Sequence, residues 1–257
     1  MQFCGTDSLP EASIHKPPTV AIVIPARYAS TRLPAKALLQ ETGKPLIQHV
    51  YEQAKKARAA GRVVIATDHP SIWRAARAFG AEVELTSGDS PTGTDRVAEA
   101  ARGIPEEIII NVQGDEPEID PEDIDGLAAL LSEDDDAGMA TLASPIAQSE
   151  AISPDRVKVV RDRRGYALYF SRSPIPYRRN DTGEVLGHVG IYAYRREVLL
   201  GLGAIRPTPL EEAEGLEQLR ALETGVRIRV GDARRPAAGI DTREDYDRFV
   251  ERFHRRK

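Results

Sequence analysis

The chain has a single cysteine, Cys4, close to its amino terminus. One cysteine excludes both an intrachain disulfide and a metal site built from several cysteines. No apolar run approaches the ~18 residues that a membrane-spanning helix needs. The amino-terminal segment also has no basic stretch followed by an apolar core, so we expect no signal peptide there. These absences favour a cytoplasmic protein without membrane insertion.

The chain also lacks an excess of positive charge. Its net charge is −5 and its calculated pI is about 5.7. This acidic balance argues against non-specific nucleic-acid binding, so any group of cations is a local feature. Hydrophobic residues make up 41% of the 257 residues and charged residues 29%, which is usual for a globular protein of one large or two modest domains.

Two common phosphate-binding signatures are absent, G-x-x-x-x-G-K-[ST] and G-x-G-x-x-G. A different phosphate-binding candidate is present. The apolar run from Val20 to Ile24 predicts a buried strand, which Pro25 should end because proline has no N–H for the ladder. A polar loop follows, with Arg27, Ser30, Thr31, Arg32 and Lys36. A cationic loop at the carboxyl end of a first strand can bind a polyanion such as a triphosphate, although a plain surface loop has the same composition.

Strand and helix patterns alternate from Val20 to Leu131, which predicts a parallel sheet covered by helices. Shorter strands with short connections follow from Met139. We predict one helix over Pro209–Leu222 and a last helix over Asp241–Phe253. The expected fold is therefore α/β, with a mostly parallel amino-terminal half and a mixed, β-rich carboxyl-terminal half. We predict one domain over residues 19–257 and expect a polar, flexible tail over residues 1–18 before it.

Two carboxylates are candidate metal ligands. Asp115 follows Gly114 directly after the apolar strand that ends near Val112, on the same rim as the cationic loop. A carboxylate beside a phosphate site suits Mg²⁺, although Gly-Asp is also ordinary turn chemistry. Asp241 precedes the last helix, where either Asp241 or Thr242 could be the N-cap, with Glu244 or Asp245 reaching back.

Three residues at other strand ends and helix starts have both a local and a functional interpretation. Asp68 and Thr94 are each placed to cap a following helix, and both could also face a nucleotide. Arg96 in a first helical turn opposes the helix dipole, a conflict that a bound anion would relieve.

A second group of candidates lies in the carboxyl-terminal half. Alternation along one strand places His188, Gly190 and Tyr192 on one face, and Gly190 leaves room there for a ligand. In the predicted helix, Glu211 and Gln218 share a face, which is equally typical of a solvated surface.

Seven segments together resemble one known family. They are IPARYASTRLPAK, ATDH, NVQGDEP, YALYFSR, HVGIYAYR, PLEEAEGLEQLR and GIDTREDY. From Val20 to the last helix the chain resembles the 3-deoxy-manno-octulosonate (Kdo) cytidylyltransferases. The resemblance implies a glycosyltransferase-A-like fold, a homodimer, Mg²⁺ as cofactor and the reaction of CTP with Kdo to give CMP-Kdo and pyrophosphate for lipopolysaccharide biosynthesis.

The resemblance also implies residue roles. For the nucleotide these are Pro25, Ala26, Arg27, Ser30, Arg32, Lys36, Thr67, Asp68, Thr94, Arg96 and Gln113. For the acid sugar they are Gln113, Arg172, His188, Tyr192, Glu217 and Gln218. Asp115 and Asp241 bind the metal, and with Lys36 and Arg32 they form the expected catalytic group.

The sequence departs from the family at a few positions. Ala35 stands where the family usually has glycine, Glu212 where a histidine is frequent and Tyr177 where a tryptophan is frequent. These changes bear on fine substrate preference more than on the reaction. The alternatives are therefore another acid sugar, such as a sialic acid or an 8-amino Kdo analogue, and a non-catalytic nucleotide-binding protein. A scaffold without a ligand is the third, and it leaves the charged residues at strand ends unexplained.

Overall fold

A computed structural model describes residues 17–29, 32–88, 92–180, 183–235 and 239–255. Most of the predicted tail, with Cys4, and also Ser30 and Thr31 lie outside the described residues. The amino-terminal half alternates strands and helices. These are β1 (Val20–Ala26), α1 (Leu46–Ala54), β2 (Arg62–Thr67), α2 (Pro70–Ala78), β3 (Glu82–Leu85), α3 (Gly93–Ala101), β4 (Ile108–Asn111) and α4 (Pro121–Ser132), with a 3-10 turn over Lys36–Leu38.

The carboxyl-terminal half is richer in strands, as the sequence predicted. Its elements are β5 (Met139–Ile146), α5 (Gln148–Ala151), β6 (Lys158–Arg161), β7 (Ala167–Ser171), β8 (Val185–Arg195), α6 (Arg196–Leu202), α7 (Pro209–Glu214), α8 (Gln218–Glu223), β9 (Ile228–Asp232) and α9 (Arg243–Arg255). No helix in the described ranges has the length and apolar character that a membrane crossing requires.

Within the described residues the strands form one nine-stranded mixed sheet. Its main order is β3-β2-β1-β4-β8-β5-β9, and β6 pairs with β7 and β8 at the side. Strands β1 to β4 are parallel, whereas β8 runs antiparallel between β4 and β5. Helices α1, α2 and α4 pack on one face, and α3, α6 and α8 on the other. The predicted α/β architecture is confirmed.

The first strand continues one residue beyond Pro25, where the sequence predicted its end. Pro25 pairs with Ala66 of β2. The carbonyl oxygen of Val23 accepts from the N–H of Val112, so the polar main-chain groups of Val23 and of Pro25, two residues on, point toward β4. The ladder with β4 has already ended at Asn111, so the N–H that proline lacks removes no ladder bond.

The helix predicted over Pro209–Leu222 is two helices. Gly215 ends α7 in the left-handed conformation with φ 60°, a common C-terminal position for glycine. The chain then starts α8 at Gln218, so Glu211 and Gln218 do not share one helical face as predicted. Helix α6, which was not predicted, follows β8 directly.

A close contact joins the ends of β1 and β4. A Cβ atom on Gly114 would lie 2.5 Å from the carbonyl oxygen of Pro25, so only glycine fits without a shift of the main chain. We expect Gly114→Ala to lower the free energy of unfolding by about 1–3 kcal/mol.

Urea denaturation measures this effect against Gly126→Ala in α4. A Cβ on Gly126 meets nothing within 4 Å, and alanine favours a helix over glycine by roughly 0.5–1 kcal/mol. Equal urea midpoints for the two variants would contradict the close approach of Gly114.

Candidate active site

The carboxyl ends of β1 and β4 place the predicted cations and carboxylates together. Lys36 Nζ donates to Asp115 Oδ2 at 2.6 Å and to the carbonyl oxygen of Ile240 at 2.6 Å. The same nitrogen lies 3.6 Å from Asp241 Oδ1, which also accepts from Arg32 Nη2 at 2.9 Å. We call Arg32, Lys36, Asp115 and Asp241 the Lys36 cluster.

The start of α9 leaves Asp241 available to this cluster. Thr242 Oγ1 accepts from the N–H of Asp245 at 3.2 Å, and Asp245 Oδ2 accepts from the N–H of Thr242 at 2.9 Å. Thr242 is therefore the N-cap of the two candidates, and the Asp241 carboxylate is free to pair with cations. The N–H of Ile240 donates to the carbonyl oxygen of Asp115 at 2.9 Å, which holds this segment beside β4.

Ala35 adopts the conformation that a glycine would adopt more easily. Among the residues that the structure describes, it is the one non-glycine residue with positive φ, at φ 52° and ψ 28°. Left-handed geometry costs an alanine about 1–2 kcal/mol relative to its right-handed form. The turn that presents Lys36 is thus formed with alanine, at the cost of local strain.

Arg96 is neutralised by a neighbouring carboxylate. Its side chain is 1% exposed; Nη2 contacts Asp68 Oδ2 at 2.7 Å, and Nη1 donates to Thr86. The expectation that a bound anion relieves the conflict of Arg96 with the α3 dipole is therefore unnecessary, because Asp68 balances the charge.

Two predicted helix caps are displaced along the chain. The ring Nδ1 of His69 accepts from the N–H of Ser71 at 3.2 Å and caps α2 in place of Asp68. Thr92, two residues before Thr94, caps α3 by accepting from the N–H of Asp95 at 3.1 Å. The side chain of Asp68 is committed instead to the ion pair with Arg96.

The remaining predicted nucleotide residues line the rim above β1 and β2. Pro25, Ala26 and Thr67 are buried, and the Thr67 hydroxyl accepts from the N–H of His69 at 3.3 Å. Arg27 follows β1 and is half-buried. Its Nη2 is buried and has no hydrogen-bond partner among the described residues, so this nitrogen is a spare donor for an anion.

Gln113 links the end of β4 to β8. Its Nε2 donates to the carbonyl oxygen of Gly190 at 3.2 Å. A Cβ on Gly190 would meet nothing within 4 Å, so the space predicted above this glycine is present.

His188 and Tyr192 share one face of β8, as the alternation predicted. Their ring centroids are 5.3 Å apart, and His188 Nε2 lies 3.0 Å from the Thr141 hydroxyl. Burial lowers the pKa of His188 to about 3 and raises that of Tyr192 well above its usual value. His188 is therefore a neutral hydrogen-bonding group at neutral pH.

Glu217 and Gln218 lie at the break between α7 and α8. Glu217 Oε2 accepts from the N–H of Thr94 at 3.1 Å, which ties this segment to the start of α3. Gln218 is buried, and its Nε2 has no hydrogen-bond partner among the described residues. Residues predicted for the two substrates thus meet at the Thr94–Glu217 contact.

Arg172 directs its guanidinium to the main chain. Nε donates to the carbonyl oxygen of Glu214 at 2.7 Å, Nη1 to that of Pro154 at 3.0 Å and Nη2 to that of Gly215 at 3.3 Å. The Glu214 carboxylate accepts in turn from the N–H of Arg172 at 2.9 Å. Any contact of Arg172 with a sugar carboxylate has to compete with these bonds.

Sequence reasoning missed three buried polar residues around the site. Glu116 is buried, and desolvation together with the Asp115 and Asp123 charges raises its pKa to about 8. Both carboxamide atoms of Asn111 are buried without a partner among the described residues. Arg220 is buried in α8. Their burial depends on the tertiary structure and cannot be read from the sequence. Asn111 is the exception, because a polar residue at the end of an apolar strand predicts a buried polar group.

The family model for cytidylyltransferases matches residues 21–228. The 3-deoxy-manno-octulosonate cytidylyltransferase of Geobacter metallireducens is 51% identical over 92% of this chain and 98% of its own length. The protein of the same name from Halorhodospira halophila is 47% identical over 92% of this chain and 97% of its own length.

A solved structure agrees with these relatives. CMP:2-keto-3-deoxy-manno-octonic acid synthetase, complexed with CTP, superimposes with a TM-score of 0.90 and 43% identity over 93% of this chain and 100% of that chain. A cytidylyltransferase from Leptospira borgpetersenii, 21% identical over 90% of this chain and 85% of its own, shares the fold with a TM-score of 0.62.

The fold and the relatives define a nucleotidyltransferase of the α/β class. Within that class, the chain belongs to the cytidylyltransferase family, in the branch of the 3-deoxy-manno-octulosonate cytidylyltransferases. The resemblance deduced from the sequence is confirmed.

The low pKa of His188 predicts a pH-dependent stability. Unfolded histidine gains a proton near its ordinary pKa of 6.5, whereas His188, half-buried on β8, stays neutral down to about pH 3 in the folded protein. The stability that neutral His188 contributes is therefore present above pH 6.5. It is lost as pH falls, by up to about 2 kcal/mol between about pH 7.5 and about pH 5.

We expect His188→Gln to reduce this acid-induced loss, measured as the free energy of unfolding at the two pH values. His254→Gln on the exposed side of α9 is the matched control and should keep the wild-type difference. If the free energy of unfolding of wild type and of His188→Gln changed equally with pH, His188 would gain its proton at the same pH in the folded and the unfolded protein. That result would contradict a lowered pKa for His188.

Proposed function

We propose that this protein transfers CMP from CTP to the anomeric hydroxyl of Kdo and releases pyrophosphate. The observation that carries the proposal is the Lys36 cluster, in which two cations and two carboxylates meet at the carboxyl ends of β1 and β4. The names of the relatives, and the CTP complex of the solved neighbour, support the choice of CTP and Kdo.

In this proposal the loop after β1 binds the triphosphate. Lys36 exchanges its carboxylate partners for phosphate oxygens, and with Arg32 it offsets the charge that builds on the departing pyrophosphate. Arg27 uses its unpartnered Nη2 for the same anion, and Ser30 adds a hydroxyl. Such chemistry depends mainly on positioning and charge neutralisation.

The nucleoside side is bounded by the ends of β1, β2 and β4. Pro25, Ala26 and Thr67 supply its floor, and the Asp68–Arg96 pair closes one side. Gln113 and Thr94 complete it toward the sugar. Gln113 is oriented by its bond to Gly190 and can contact both substrates.

Asp115 and Asp241 are the proposed ligands of Mg²⁺. Both contact the Lys36 ammonium, so one cation can reach both carboxylates, with the carbonyl oxygen of Ile240 beside them. In the described part of the chain, no group of three or more His, Cys, Asp or Glu side chains is arranged to hold a metal ion by itself. A site of two carboxylates completed by phosphate and water suits Mg²⁺. When bound, the metal supplies positive charge at the reacting phosphate.

The acid sugar occupies the face of β8 beside α8. Neutral His188 and Tyr192 orient its hydroxyl groups, and Gln218 offers the buried Nε2 that has no described partner. Glu217 accepts a sugar hydroxyl next to Thr94. Arg172 reaches the sugar carboxylate by giving up its longest bond, the one to Gly215 at 3.3 Å.

The proposal extends to the cellular role. CMP-Kdo formed in the cytoplasm would serve lipopolysaccharide biosynthesis, and the active protein is a homodimer. Size-exclusion chromatography with light scattering tests the last point directly.

Pyrophosphate release with CTP, Mg²⁺ and a panel of acid sugars tests the proposed reaction. We expect Kdo to give the highest kcat/KM, with a sialic acid and an 8-amino Kdo analogue turned over more slowly. A higher kcat/KM for another acid sugar would show that this sugar, and not Kdo, is the preferred substrate. Binding of CTP by calorimetry without turnover of any sugar would favour a non-catalytic role.

Replacing either proposed metal ligand tests the metal site. We expect Asp115→Asn and Asp241→Asn each to lower kcat on the order of 100-fold. Each variant would hold the metal less tightly, and the positive charge that the metal supplies at the phosphate would be lost. Asp247→Asn, on an exposed turn of α9, is the control and should retain activity. Near wild-type pyrophosphate release by both site variants would refute the metal assignment.

A further inference from the structure

Arg220 is a buried arginine that joins its own helix, α8, to three other helices behind the site. It is 3% exposed, and its Nε and Nη2 donate to Glu211 Oε2 and Oε1 at 2.7 and 2.5 Å. Nη1 donates to Asp95 Oδ1 at 3.1 Å and to the carbonyl oxygens of Leu202 and Ile205 at 3.2 and 3.3 Å. One guanidinium therefore connects α8 to α7, to α3 and to the end of α6.

The partners of Arg220 are neighbours of residues proposed to contact the two substrates. Asp95 follows Thr94, whose N–H is bonded to Glu217, and Gln218 is two residues before Arg220. A small cavity behind the site is lined by Thr94, Glu217, Gln218 and Arg220 together. Arg220 itself is buried and presents no open surface on which a substrate could bind.

The bond from Arg220 to Glu211 crosses the break between α7 and α8. Gly215 has left-handed geometry there, so the segment up to Glu217 carries no continuous helical ladder. The two-pronged contact of Arg220 with Glu211 restrains the angle between the helices, because a guanidinium and a carboxylate pair in one plane. The contact with Asp95 restrains the same segment relative to α3.

A buried charge network of this kind is not needed for stability alone, since well-packed apolar side chains often stabilise a site equally well. We propose that Arg220 is a positioning residue, which holds Glu217 and Gln218 at the distance from Thr94 that presents the acid sugar to the nucleotide. This inference rests on the proposed cytidylyltransferase reaction.

The test uses Arg220→Lys and the double variant Arg220→Met/Glu211→Gln. Lysine retains the charge but cannot form the forked contact and reach Asp95 together. The double variant removes both members of the main ion pair, so no carboxylate at position 211 is left buried and unpaired. Asp95 keeps its contact with the Thr92 hydroxyl at 2.7 Å.

We expect both variants to raise KM for Kdo about tenfold or more, while KM for CTP and CTP binding by calorimetry change less than about twofold. Arg195→Lys is the matched control. Arg195 is a half-buried arginine on β8, far along the strand from His188, and it donates to the carbonyl oxygens of Leu131 and Ala137. The KM of Arg195→Lys for Kdo should equal that of the wild type.

The outcomes separate the inference from the proposed function. Folded Arg220 variants with wild-type KM for Kdo, or with CTP binding lost in parallel, would show that the network is only structural. If the double variant does not fold, Arg220→Lys decides in the same way. A wild-type protein that turns over no acid sugar would instead refute the proposed function itself.

Discussion

The Lys36 ammonium between two carboxylates is the interaction on which the site depends. It joins segments 79 and 204 residues apart in the chain, at Asp115 and at Ile240. Two neighbouring carboxylates repel one another unless a cation lies between them. Lys36 supplies that charge, and it thereby keeps the loop after β1, the turn after β4 and the start of α9 in one arrangement.

Close packing, a helix cap and apolar contacts hold the main chain around this cluster in place. Gly114 allows the turn after β4 to lie against Pro25, and Thr242 with Asp245 fixes the first turn of α9. The apolar contacts of Tyr246 and Phe249 with the loop after β1 hold α9 in place. Away from this cluster, two buried arginines are also paired with carboxylates, Arg96 with Asp68 and Arg220 with Glu211.

Much of the fold followed from pattern, because the buried parallel strands are short apolar runs separated by amphipathic helices. The wrong predictions concern single residues whose role depends on their local geometry or on a neighbour in the tertiary structure. Pro25 remained in β1 because the ladder on its β4 side had already ended. Gly215 split the predicted helix, and Asp68 left its predicted capping role for Arg96, a partner 28 residues away. The roles of individual residues toward CTP, Kdo and Mg²⁺ stay predictions.

By itself, the sequence determined the α/β class, the rim on which the charged residues gather and the family, since hydrophobic periodicity and motif spacing are local properties of the chain. Only the tertiary structure decided which charges pair. Lys36 donates to Asp115 and to the carbonyl oxygen of Ile240, and Arg172 donates to main-chain carbonyl oxygens. Arg220 links α8 to α3 and α7. Pairing and burial depend on distances between segments far apart in the chain, and local pattern carries no information about those distances.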